Sequence, residues 1–211
     1  MKRGDNEPRV LLVEGRDEVL VLPELLELAG VAWIRGSEPV FIRDCEGIDQ
    51  LLDPKSITAE LKTSGVTAIG LIVDADGDIT ARWQRVQTLL ATIHPDFPHA
   101  LDPAGIVYDS NPRLGVWLMP DNLRAGMLET LLLAASDEPL REHARASMRA
   151  AKTLGAPFRD SHHDKALLHT WLAWQDPPGQ QLPLATKSRT FNAAAPAILP
   201  FVAWFRRLYR L

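Results

Sequence analysis

Three short stretches are apolar at every position rather than at alternate ones: Val10-Leu11-Leu12-Val13, Val40-Phe41-Ile42, and 68–73, centred on Ile69-Gly70-Leu71-Ile72-Val73. Continuous runs of this length rich in Val and Ile predict strands covered on both faces, as in a parallel sheet. Between them the pattern changes to helical spacing. Val19, Leu22, Leu25, Leu26 and Ala29 predict a helix from Arg16 to Ala29, with Gly30 as its stop. Pro23 falls inside it and is expected to kink or split it. Gly47 to Leu52 and Ile57 to Lys62 predict two short helices on either side of Asp53-Pro54. Ile79, Trp83, Val86, Leu89, Leu90 and Ile93 share one face of an amphipathic helix over 79–93. After a proline-punctuated connection, Gly105 to Tyr108 and Arg113 to Met119 predict two more strands around the turn Asp109-Ser110-Asn111-Pro112. From Gly126 the pattern is helical: Met127 to Ala135, Pro139 to Thr153, Lys165 to Gln175 and Pro196 to Tyr209, with an exposed loop over 175–181. The expected architecture is α/β, a mostly parallel sheet flanked by helices over residues 1–125, with a helical portion over 126–211 packed on it.

The two sharpest features lie where strands end. The first run stops at Glu14-Gly15 and the third at Asp74-Ala75-Asp76-Gly77-Asp78. Ligands of open α/β sheets bind at the carboxyl edge of the strands. Carboxylates gathered there repel one another unless a cation joins them. Magnesium takes oxygen ligands and needs few carboxylates, the rest of its shell being water or phosphate. If the first and third strands are neighbours, Glu14 stands roughly 5 Å beside the Asp74-x-Asp76 pair. It can then ligate the same ion or act as a base, and Glu18, one helical turn on, faces the same crevice. The residues therefore point to a magnesium site for phosphodiester chemistry.

Simpler uses exist for some of these acids. Asp78 precedes a helix and is equally suited to capping it. Asp17 and Glu18 open a helix, where acids favour the positive end of its dipole. The run Asp74 to Asp78 also overlaps two other motifs and fits neither. A haloacid-dehalogenase-like phosphatase opening needs Thr or Val where Asp78 stands, and belongs on a first strand. A calcium loop needs glycine sixth and glutamate twelfth, whereas Gly77 is fourth from Asp74.

Composition narrows the class without choosing the chemistry. With 23 Lys and Arg against 27 Asp and Glu, the net charge is −4 and the pI about 5.9, so nucleic acid would have to be held by local basic groups. No apolar stretch approaches the roughly 20 residues of a membrane span, and Met1 to Pro8 lacks the apolar core of a signal peptide. A single cysteine, Cys45, excludes an internal disulfide and a cysteine-based zinc cluster. The expected compartment is the cytoplasm.

Leu11-Leu12-Val13-Glu14-Gly15-Arg16-Asp17-Glu18, running on to Leu22-Pro23-Glu24-Leu25, resembles the opening of a Toprim domain, especially the version in OLD-family nucleases. Val73-Asp74-Ala75-Asp76 is similar to the second Toprim motif, Asp-x-Asp. The segments Gly115 to Asn122, Gly126-Met127-Leu128-Glu129, His162-x-Asp164-Lys165 and Thr170 to Gln175 resemble a small uncharacterised Toprim-related family of bacteria and archaea. The resemblance implies a Toprim-like, Rossmann-like fold and magnesium-dependent cleavage of DNA or RNA, with manganese able to substitute. It implies Glu14 as metal ligand or acid–base group and Asp74 and Asp76 as metal ligands, with Glu18 and Asp78 as additions. Glu129 would complete a second metal site, and Lys165 would offset charge developing on the phosphate. Lys165 serves equally well as a solvated residue opening a helix.

OLD nucleases usually carry an ATPase module, and this chain has no G-x-x-x-x-G-K-[ST] phosphate loop. A separate ATPase chain would then act in trans, and a metal-binding regulatory module without turnover is the alternative, ahead of a phosphatase. A homodimer is compatible with either reading. The only tyrosines, Tyr108 and Tyr209, stand outside any topoisomerase-like context. His162, His163 and His169 suit surface or hydrogen-bonding roles, since adjacent helical positions point about 100° apart. Trp171 and Trp174 are expected to pack in the helical half. The aromatic and arginine mixture of 201–210 suits docking on the core better than a nucleic-acid groove.

Overall fold

The computed structural model describes residues 7–211 and gathers every predicted strand into one sheet. The strands are β1 (Arg9–Val13), β2 (Phe41–Asp44), β3 (Ala68–Asp74), β4 (Ile106–Tyr108) and β5 (Arg113–Met119), in the spatial order β2-β1-β3-β5-β4. β1, β2, β3 and β5 run parallel, and β4 closes one edge antiparallel to β5. The register pairs Leu12 with Leu71 and Asp74 with Met119, so β1 and β3 are central neighbours. Their carboxyl ends open on the same side.

Helices cover both faces, as the continuous apolar strands require. Leu12, Leu71 and Val73 point to the layer formed by α2 (Ile48–Leu51), α3 (Pro54–Leu61) and α4 (Ile79–Ile93). Leu11, Val13, Ile72 and Trp117 point to the other layer. That layer contains α1 (Arg16–Leu28), α5 (Leu128–Ala134), α6 (Glu138–Thr153), α7 (His163–Leu172), α8 (Leu182–Lys187) and α9 (Leu199–Tyr209). The helices after Gly126 thus share one apolar core with the sheet. No described helix is long and apolar enough to cross a membrane.

α1 is a single helix through Pro23, neither split nor broken. Val21, Leu22, Leu25 and Leu26 flank the proline and are fully buried. At about 1.5–3 kcal/mol for each large apolar side chain, their packing exceeds the roughly 3 kcal/mol cost of an internal proline. The helix stops at Gly30 as predicted: Gly30 has φ 83° and its N–H donates to Glu27, while Val31 donates to Leu26. This double closure satisfies carbonyls that the last turn leaves free.

The C-terminal helix is the clearest case of packing written into glycines. A Cβ on Gly70 of β3 would stand 2.6 Å from the Tyr209 hydroxyl, and one on Gly115 of β5 would stand 2.5 Å from Leu208. Tyr209 donates to the Val10 carbonyl at 2.7 Å and Trp204 Nε1 donates to the Ile106 carbonyl at 2.8 Å. Arg206 donates to the carbonyls of Ala29 and Gly30, and Arg207 to those of Ala104 and Gly105. The aromatic and arginine mixture of this segment is therefore engaged inside the fold. Trp171 is buried against Phe191, whereas Trp174 stays partly exposed and lies beside His143.

Candidate functional site

β1 ends one residue before Glu14, so the next main-chain donor of β3 on that side has no strand partner. The Glu14 carboxylate fills the gap: the Asp74 N–H donates to Oε1 at 2.7 Å. Two acids sixty residues apart are thereby locked together at the sheet edge. Gly15, extended at φ −151°, opens α1, and Glu18 folds back so that a Cβ on Gly15 would lie 3.4 Å from its Oε2. Glu18 is 7% exposed although it is a carboxylate in the first turn of a helix.

Asp76 adopts φ 51°, and its N–H donates to the Gly126 carbonyl at 2.9 Å. That bond ties the Asp74-Ala75-Asp76 loop to the segment that starts α5. Glu129, in the first turn of α5, is 3% exposed and faces the Lys165 ammonium of α7 at 3.4 Å. Asp76 itself pairs with Arg82 from α4, whose side chain is largely buried. The cleft enclosed by these parts has a volume of about 670 Å³, and Glu14, Asp74, Asp76, His163 and Lys165 border it. A water occupies roughly 30 Å³ of liquid, so a hydrated cation and a phosphate group fit together.

The electrostatics are those of an over-acidic pocket. Burial pushes Asp74 well above the usual carboxylate range, and the charges of Glu18, Glu14, Glu129 and Asp76 push it further. Its Oδ1 is buried and makes no hydrogen bond. Glu18 is raised to about 7, first by desolvation, then by Glu129 and Glu14. Desolvation also raises Glu14, against the lowering effect of the Asp74 N–H and the Arg82 charge. Lys165 is raised: partial burial pulls it down, but the adjacent Glu129 carboxylate together with the charges of Asp74 and Asp17 outweighs that.

Such a donor set fits a small hard cation. A buried carboxylate oxygen without a partner, ringed by further acids, is costly unless protonated or joined by positive charge. Among the described residues no three His, Cys, Asp or Glu side chains are grouped so that they could hold one metal ion. Magnesium does not require such a group, since one or two carboxylates commonly hold it and water completes the shell.

The structure thus brings Glu14, Glu18, Asp74, Asp76 and Glu129 to one end of the sheet, with Lys165 opposite. Asp78 is placed differently. Its Oδ1 accepts from the Ala81 N–H at 3.0 Å, capping α4, and it does not border the cleft. Three participants were not singled out from the sequence: Arg82, Thr130 and Asp164. Arg82 lies on the polar side of an amphipathic helix, where charge is the default. Thr130 meets Asp164 across 34 residues, and no local pattern announces that contact. Asp164 is next to Lys165 in the sequence, and that adjacency is its local signal.

A family described as "Protein of unknown function (DUF3226)" has a model that matches residues 8–210. The chain belongs to this family. The match spans the sheet and the C-terminal helices alike, so the DUF3226 region includes the whole acidic cleft. Two solved structures are similar over nearly the full chain. One is the C-terminal region of the Xanthomonas campestris pv. campestris OLD protein phased with mercury, at 15% identity, TM-score 0.42 and 97% coverage of both chains. The other is the same region phased with platinum, at 17% identity and TM-score 0.41, covering 97% of this chain and 94% of that one. This likeness is too distant to carry a residue-by-residue correspondence. No curated protein matches the chain.

Proposed function

We propose that this DUF3226 protein is a magnesium-dependent phosphodiesterase of the Toprim type, acting on DNA or RNA. The observation that carries the reading is the buried, unpartnered Oδ1 of Asp74 amid Glu14, Glu18, Asp76 and Glu129. Asp74 and Asp76 are the proposed metal ligands, with Glu14, Glu18 and Glu129 in support. A divalent cation held by these carboxylates supplies Lewis acidity toward a phosphodiester and makes a bound water acidic near neutral pH.

The chain's own groups supply the remainder. Glu14 uses Oε1 to hold the Asp74 N–H, which fixes its orientation and leaves Oε2 to take a proton from the attacking water. Lys165, held by Glu129 on the opposite wall, offers fixed positive charge where negative charge grows on the phosphoryl oxygens. Arg82 balances the charge of the half-exposed Asp76 carboxylate and restrains its orientation.

The test is cleavage of plasmid and single-stranded DNA and RNA by the purified chain with magnesium or manganese, beside a phosphomonoester control. Metal-dependent cleavage that disappears in a Glu14→Gln, Asp74→Asn double variant is expected. Equal activity in that variant, or turnover of the phosphomonoester alone, would discard the reading.

A further inference from the structure

Thr130 occupies a crossing point that the proposed chemistry leaves unused. Its Oγ1 accepts the Met127 N–H at 3.0 Å and donates to Oδ2 of Asp164. The other oxygen of Asp164 meets His163 Nδ1 at 2.9 Å. A Cβ on Gly126 would lie 2.6 Å from the Thr130 hydroxyl, so the threonine rests directly on the glycine whose carbonyl holds Asp76. One hydroxyl thus joins the metal-side loop, the first turn of α5 beside Glu129, and the start of α7 beside Lys165.

We propose that Thr130 and Asp164 are positioning residues that set the separation between the carboxylates of the sheet edge and the Lys165 wall. The inference rests on the magnesium phosphodiesterase reading and deepens it. A hydroxyl has one proton to give. Because Thr130 receives the Met127 N–H and gives its own proton to Asp164, the direction of both bonds is fixed. Valine keeps the β-branched shape and loses both bonds; serine keeps both bonds and loses a methyl group. Asparagine at 164 can still accept from Thr130 but removes the charge that strengthens the bond. Thr130 lies outside the cleft lining, and Asp164, which borders the cleft, is held there by the Thr130 hydroxyl; the effect assigned to both travels through Asp76, Glu129 and Lys165.

The experiment compares wild type, Thr130→Val, Thr130→Ser and Asp164→Asn by Mn2+ calorimetry, by magnesium-dependent cleavage kinetics and by thermal melts in EDTA. Groups that orient a metal site typically alter affinity or activity by about 10- to 100-fold. Thr130→Val and Asp164→Asn are expected to weaken Mn2+ binding and lower kcat within that range, with KM far less affected. Thr130→Ser is expected to restore both, although its melt falls with the lost methyl group. Val and Asn variants that bind Mn2+ and turn over like wild type would overturn the inference while leaving the phosphodiesterase reading intact. A serine variant as impaired as valine would overturn it too, since packing alone would then explain the loss. Wild-type protein that binds no Mn2+ and cuts nothing would remove both.

Discussion

Across sixty positions of sequence, the Asp74 main-chain N–H donates to Glu14 Oε1 at 2.7 Å. This bond makes the two acids unequal. Glu14 is anchored and keeps a free oxygen, whereas Asp74 has a buried Oδ1 and the greater crowding by charge. Their single replacements should therefore differ. Glu14→Gln should retain Mn2+ binding more fully than Asp74→Asn while cleavage falls by at least about 100-fold, the scale of a lost acid–base group. Parallel binding isotherms and single-turnover rates check the separation.

Metal-free stability should fall as pH rises. Glu18 is raised from 4.5 to about 7 in the fold, and Glu14 and Asp74 are raised as well. The folded state then binds more protons than the unfolded chain between these limits. The stabilising contribution is complete below the unfolded value and is lost as pH passes through about 7. Melting temperatures in EDTA should drop from pH 5 to pH 8, and magnesium should flatten the slope. A pH-independent Tm would contradict the buried acids.

Asp78 offers a clean separation between a capping role and a ligand role. Asp78→Ala removes the acceptor of the Ala81 N–H and should cost about 1 kcal/mol. Asp78→Ser should recover most of that loss. Cleavage at saturating magnesium should be unchanged in both variants. A large rise in the magnesium requirement would instead make Asp78 part of the site.

Gly70→Ala should destabilise the fold by about 1–3 kcal/mol, the usual cost of overpacking a core. Its new methyl group would meet the Tyr209 hydroxyl, Leu11 and Leu208, all within 2.9 Å. Urea unfolding measures the effect, and combining it with Tyr209→Phe should give a non-additive result because the two positions touch.

Much of this architecture was legible because its signals are local. Continuous apolar runs gave the parallel strands, and the strand-end acids pointed to the sheet edge before any neighbour was known. The amphipathic helix over 79–93 appears with the same bounds in the structure. What escaped was set by tertiary context. Pro23 argued for a kinked or split helix, yet α1 continues through it among four buried neighbours. α8, at Leu182–Lys187, is only six residues long and carries a proline in its first turn, so it has too little periodicity to be read. The Asp76–Gly126 bond and the Thr130–Asp164 bond join segments far apart in sequence, and neither leaves a repeat or spacing to detect.

The seat of the last helix also constrains how such a sequence can drift. Tyr209 and Leu208 fit only because positions 70 and 115 carry no side chain. A relative that acquires a larger residue at either strand position must shrink the opposing one in the same lineage. Those four sites should therefore vary as linked pairs, strand with helix.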